Sequence, residues 1–404
     1  MTSESARPYS YASLLVICCA IVLGCYFGTY MRFPVVPLFA QSLGADAVLV
    51  GVINAAFLLA AGALSFPLGI IASHLGMKLL AGIGLLILAS SSFFLALSST
   101  PHQLIWIYLF SGAGLAAFGP TTMSYVAGIS PPTHLGRSYG WYTTAIYAGM
   151  SLGPAAGGFV AEDWGFSTVF ILSGLSIFAT FWALVLFLPR ARQVMPEGHR
   201  QAPIGGAVIR ETFKNLPLLG SWLATGGGCF GLGIFLTFLP LHAHEQGLTY
   251  SQIGLVFAIQ GVVNALSRLP CGHLSDKVKH RSRLVFLGFL GVVASLVGYG
   301  LSRRPLHFDL CAVAMGLSMG LAFTSVAAFS VETVPPQFRG LAMGGYNSSI
   351  YLGMMISSAG LGPVIGRIGF QDGFLVTAVI TLLITGGSYL LMKGFTPPSA
   401  QSIG

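Results

Sequence analysis

From Ser13 to Lys393 the chain reads as long apolar runs broken by short polar or Gly/Pro turns. A helix needs about 20 mostly apolar residues to cross the hydrocarbon layer of a bilayer. Twelve runs qualify, at 13–41, 47–73, 79–98, 103–127, 138–160, 166–188, 217–241, 251–274, 284–301, 309–331, 341–365 and 373–393. The pattern predicts an all-α polytopic membrane protein with twelve transmembrane helices. The opening stretch, MTSESARPYSYASLLVICCAIVLGCYFG, has one Arg ahead of an apolar run too long for a cleaved signal. It is expected to remain as the first span.

Composition strengthens this reading. Of 404 residues, 54% are hydrophobic and only 7% charged, where a soluble domain is about a quarter charged. Arg303, Arg304 and Arg367 fall in loops on one side, and Arg32 and Arg268 fall inside spans. Every other Lys and Arg of the nineteen lies on the side of the N-terminus. Basic loops face the cytosol, so both termini are expected there, in a cytoplasmic membrane. The formal charge of +8 follows from loops beside an anionic leaflet. No aromatic-basic motif points to nucleic acid. The six cysteines show no CxxC spacing, and the nine histidines lie mainly in loops and span ends. Neither a metal site, a cofactor nor an enzyme's convergent acid, base and nucleophile is expected.

The chain repeats itself. A shift of 203 residues lays Pro37-Leu38 on Pro240-Leu241, Gly51 on Gly254, Pro67 on Pro270 and Gly69 on Gly272. A shift of 204 lays PPTHLG at 131 on PPQFRG at 335, and Gly140, Tyr142, Ile146, Tyr147, Gly149 and Met150 on Gly344, Tyr346, Ile350, Tyr351, Gly353 and Met354. Two pseudo-symmetric six-helix halves follow, 1–188 and 217–404, joined by a cytosolic linker at 189–216. Within the linker AVIRETFKNL has the makings of a short surface helix. Parallel halves with a midplane site between them are an architecture of secondary transporters.

Three stretches resemble the major facilitator superfamily. GHLSDKVKHR, from Gly272 to Arg281, is similar to its loop between spans 8 and 9. GIIASHLGMK, from Gly69 to Lys78, holds the corresponding place between spans 2 and 3, with Ser73 where an Asp is usual. GMSLGPAAGG in span 5, with Gly149, Gly153, Pro154, Gly157 and Gly158, resembles the Gly-Pro motif of the family's antiporters and drug exporters. In span 4, Tyr108 stands where those exporters often have an Arg. The resemblance implies a transporter whose halves rock about a central site. Gly69, Gly76, Lys78, Gly272, Asp276, Lys277, Arg281 and Arg339 would then serve the inner loops, with Asp276 facing the positive end of a helix. The plainer reading of all these motifs is scaffolding.

Charges inside spans are costly and carry functional hypotheses. Only Arg32 and Arg268 qualify, and no acid falls in mid-span. Gln260, Asn264 and Arg268 share one helix face by their i, i+4, i+8 spacing. In the repeat Arg268 aligns with Ser65 and Arg32 with Phe235, so neither Arg recurs. Two guanidiniums facing a central cavity suit a carboxylate, sulfonate or phosphate. The alternative is that Arg32 snorkels outward, and that Arg268 snorkels inward or pairs with Glu332. Monocarboxylate transporters of the superfamily are similar around Arg268 and Gly272, but Asn264 stands where they often have an Asp. Further cavity candidates are Tyr139, Thr143 and Tyr147 in span 5, Tyr346, Asn347 and Tyr351 in span 11, Asn54 in span 2 and Ser111 in span 4. His242, His244 and Glu245 cluster at the outer end of span 7, where a solvated loop mouth is expected. The expected function is transport of a small organic anion such as a monocarboxylate. Export of drugs or amphiphilic metabolites is the alternative, and a receptor or scaffold a remote one. A monomer in the bilayer, with protons as the coupling ion, completes the expectation.

Overall fold

The computed structural model describes residues 10–189, 214–278, 280–335 and 338–395. Most of the expected linker lies outside the described residues. The described chain forms eleven α-helices: α1 (Tyr11–Met31), α2 (Val35–Ser42), α3 (Ala47–Leu75), α4 (Met77–Leu97), α5 (Pro101–Ile129), α6 (Leu135–Phe187), α7 (Leu216–Glu245), α8 (Tyr250–Lys277), α9 (Arg281–Leu301), α10 (Pro305–Glu332) and α11 (Arg339–Met392).

Local chemistry sets the ends. Asp46 caps α3 by accepting from the Leu49 N–H at 2.8 Å. Thr100 and Thr249 begin α5 and α8 with reciprocal Thr/Gln capping boxes. Pro101 and Pro305 stand at first helical positions, where no N–H is missed.

Two helices are too long to cross once. At a rise of about 1.5 Å per residue, the 53 residues of α6 and 54 of α11 exceed a bilayer more than twofold. Each doubles back at a glycine outside helical geometry, Gly165 (φ 78°) and Gly369 (φ 82°). Each therefore supplies two arms, and the spans expected at 138–160 with 166–188, and at 341–365 with 373–393, are arm pairs. The first span differs from expectation. It breaks at Arg32-Phe33-Pro34 into α1 and α2, because Pro34 has no N–H to continue the ladder.

The internal repeat is visible as geometry. Gly44 and Gly247 (φ 90° and 85°) are 203 residues apart, and Gly165 and Gly369 are 204 apart. Helices α4 and α9 are offset by 204 at both ends. The one-residue change of offset falls between Gly69 with its counterpart Gly272 and the start of these two helices. Packing repeats as well: α1 lies on α6 as α7 lies on α11, and α3 on α5 as α8 on α10. Two seams join the halves, α6 against α8 and α3 against α11.

Candidate functional site

The seams decide where a chamber exists. Side "near" is where α1 begins, and "far" the opposite one. In the span-5 arm of α6, Gly149, Gly153 and Gly157 lie against the backbone of α1 at Leu23, Phe27 and Met31. Gly158 turns instead to α8, where a Cβ on it would lie 3.1 Å from the Gly254 Cα. Lower in this seam Ser151 meets Gly261, and then the Arg268 guanidinium carbon sits 4.2 Å above the Tyr147 ring. Gly254, Gly261 and Arg268 thus form one column, spaced every seven residues. In the other seam Gly51 abuts the Ser358 carbonyl, and a Cβ on Gly362 would lie 2.9 Å from the Ala47 oxygen. Small residues bring the helix backbones together on the far side. The Glu162 carboxylate adds a bond across the halves, accepting from the Ser251 N–H at 2.8 Å. Near-side glycines Gly69, Gly136, Gly140, Gly340 and Gly344 have nothing within 4 Å of a Cβ. Among the described residues, the backbone-to-backbone contacts between the halves therefore lie towards the far side, with side-chain contacts below them.

Five tyrosines converge in the space between. Tyr26 and Tyr30 of α1 stack at 6.1 Å, and Tyr30 stacks on Phe33 at 4.8 Å. Tyr147 of α6 and Tyr346 and Tyr351 of α11 lie within electrostatic reach of this pair or of each other, and Arg268 within reach of Tyr346. Among the described residues none of these five hydroxyls has a hydrogen-bond partner. Gly51 and Gly62 mark the side of α3 that meets α11, since a Cβ on Gly62 would lie 2.9 Å from the Tyr351 Cβ. Phe57 marks the side that meets Phe33. At 100° per residue Asn54 falls between these sides. It is 4% exposed and its carbonyl oxygen has no partner. A buried polar atom without a partner is costly.

The other sequence candidates separate. Asn264 accepts from the Arg268 Nε at 3.2 Å, and Gln260 lies against Met319. The backbones of both pack on Gly316 and Gly320 of α10, so this polar face turns into its own half. Thr143 is exposed and bonds back to the Tyr139 carbonyl at 2.8 Å, and Asn347 is exposed. Lys78 donates to the Val185 carbonyl at 2.7 Å, and Lys277 and Arg339 are exposed. Glu332 pairs with Arg281 at 3.2 Å rather than with Arg268. Gly76 supplies a φ of 90° between α3 and α4, and Gly272 faces Thr324. The side chain of Asp276 lies outside the described residues. His242 departs from the expected loop mouth. It is buried among Phe308, Phe370 and Phe374, 3.1 Å from the Tyr299 carbonyl.

Arg32 is the largest departure. It neither faces the chamber nor reaches the surface, being 1% exposed inside the first half. One Nη donates to Ser91 at 2.9 Å and Ser92 at 3.0 Å, and the other donates to Ser111. Ser91 in turn donates to the Leu88 carbonyl at 2.7 Å. Ser92 shares a hydrogen bond with Ser173, which donates to the Gly28 carbonyl at 2.7 Å. Tyr108 lies within electrostatic reach, so a guanidinium does stand near that position, supplied by α1. Among the described residues no carboxylate pairs with Arg32 or Arg268. Tyr26 and Tyr30 are not among the expected site residues, although the sequence spaces them i, i+4.

Known proteins fit this geometry. The sequence model described as Major Facilitator Superfamily matches residues 18–302 and 221–402. An uncharacterized MFS-type transporter of Methanocaldococcus jannaschii is 25% identical over 365 residues, covering 89% of this chain and 93% of its own. The multi-drug resistance efflux pump PmrA of Streptococcus pneumoniae is 26% identical over 357 residues, 86% and 88% of the two chains. The quinolone resistance protein NorA of Staphylococcus aureus is 26% identical over 267 residues, 65% and 67%. Among solved structures, a bacterial homolog of the human lysosomal transporter Spinster, inward-facing and unoccupied, superposes with a TM-score of 0.80 at 16% identity. It covers 98% of this chain and all of its own.

Proposed function

The chain belongs to the major facilitator superfamily and is a multi-pass membrane transporter, and from that premise we propose that it exports amphiphilic aromatic molecules, neutral or anionic, from the cytosol. The observation that supports this most is the set of five tyrosyl hydroxyls without partners, contributed by both halves. Phenol rings offer broad apolar contact, and their hydroxyls meet a solute's polar edge. The Asn54 oxygen accepts from a donor on the solute, and Arg268 supplies the chamber's positive edge. Relatives named as efflux pumps support export. The basic loops support a cytosolic near side, and the far-side backbone contacts support entry of solute from there. The seams then exchange: the near side closes, the far side opens, and solute leaves. Protons are the proposed coupling ion, acting on the monomer as it stands.

The test is flux in proteoliposomes with dansyl amide and its carboxylate analogue. Both are expected to move. Tyr30→Ala or Tyr351→Ala is expected to lower kcat/KM for both by about tenfold. Arg268→Ala is expected to lower it for the carboxylate alone. Absence of flux for both compounds, or indifference to the tyrosine changes, would overturn the proposal. Arg268 also favours a second reading, a carrier of small organic anions. Flux of propionate faster than of either dansyl compound would select that one.

A further inference from the structure

We infer that Arg32 is a fixed, uncompensated positive charge behind the chamber wall, and that it selects against cationic solutes. The inference rests on the chamber proposed above as the solute site. A guanidinium stays protonated in proteins, and Arg32 is buried without a carboxylate partner among the described residues. Its partners are the hydroxyls of Ser91, Ser92 and Ser111, which solvate the charge but do not cancel it. Ser91 passes its own hydrogen to a carbonyl, so its oxygen is free to accept. Arg32 also caps the C-terminus of α1, where helix carbonyls favour a cation.

The fold itself does not require this charge. The repeat places Phe235 where Arg32 stands, Leu296 where Ser92 stands and Met315 where Ser111 stands. Those three are buried, and Phe235 packs on Phe257 and Tyr299. The second half therefore builds the same junction without a charge, keeping a serine, Ser295, only at the place of Ser91. In the first half Arg32 appears together with two serines, Ser92 and Ser111, that the second half lacks. Two residues before Arg32 is Tyr30, and one after it Phe33, whose rings stack on each other at the chamber. The charge thus sits about one helix diameter, ~10 Å, from the solute space. At an effective dielectric of about 20, a unit charge at that distance changes the local concentration of a monovalent ion roughly tenfold, oppositely for cations and anions.

The test reads potential without needing the natural solute. In a full-length chain with its six cysteines replaced by Ala, Tyr351→Cys provides a thiol in the chamber. Its reaction rates are measured with anionic sulfonatoethyl, cationic trimethylammonium-ethyl and neutral methyl methanethiosulfonate. Arg32→Phe with Ser92→Leu and Ser111→Met copies the apolar set of the second half. In that variant the anionic-to-cationic rate ratio is expected to fall roughly a hundredfold, with the neutral rate unchanged. Arg32→Lys is expected to keep the ratio, and Arg32→Gln, should the triple variant misfold, to lose it. A ratio that moves by less than about threefold when the charge is removed overturns the inference. Failure of dansyl transport overturns the chamber proposal instead, and leaves this readout intact.

Discussion

At the scale of single residues, the informative pair is the two intramembrane arginines. Their sequence contexts look alike: each is a lone guanidinium in an apolar span. Their surroundings differ because partners arrive from other helices. Ser91, Ser92 and Ser111 come from α4 and α5 and enclose Arg32, while Tyr147 comes from the opposite half and covers Arg268. The repeat held a clue, since Arg32 and two of its serines align with Phe235, Leu296 and Met315. A physical consequence follows for stability. Arg32→Phe alone leaves three buried hydroxyls without their donor, at a cost of about 1–3 kcal/mol. Adding Ser92→Leu and Ser111→Met removes most of that cost. The single variant is expected to unfold in detergent several degrees below the parent, and the triple variant at or above it. Thermal unfolding followed by tryptophan emission checks this, and additive losses across the three changes would contradict it.

At the scale of elements, glycine spacing does the selecting. Gly149, Gly153 and Gly157 recur every fourth residue and bind the span-5 arm to α1, within one half. Gly158, one position on, faces the other half and allows backbone contact with Gly254. The two neighbours therefore respond differently to a side chain. Gly158→Leu is expected to force the far-side seam open while leaving α1 in place. Transport is expected to fall below about a tenth of the parent, and cysteines placed on the far side to become reactive. Gly153→Leu is expected instead to lower expression of folded protein, because it separates α1 from α6. Comparing yield and far-side labelling of the two variants distinguishes them; equal behaviour would mean the seams are not separate units.

At the scale of the whole molecule, the backbones of the two halves meet on the far side. The contact of Glu162 with the first turn of α8 crosses that far-side closure. A negative group at a helix N-terminus is stabilising, so separating the halves there removes a favourable contact. Glu162→Cys with Ser251→Cys, oxidised, is expected to hold the far side shut and reduce dansyl flux below about a tenth. Reduction of the disulfide should restore it. Undiminished flux in the oxidised form would show that the far side need not open.

The sequence by itself determined the class of molecule, the places where the chain turns and the repeat. Hydrocarbon thickness demands apolar runs of a set length, and turns demand glycine at Gly44, Gly165, Gly247 and Gly369, so both are written locally. It also named Tyr147 and Arg268 as candidates, which the fold sets against each other across one seam. What only the tertiary structure decided was direction. A polar residue in an apolar helix has to face something, but one helix cannot say whether that is a neighbour in its own half or a chamber between halves. For Arg32, Gln260 and Asn264 the answer was set by serines and glycines on other helices, fifty or more residues away.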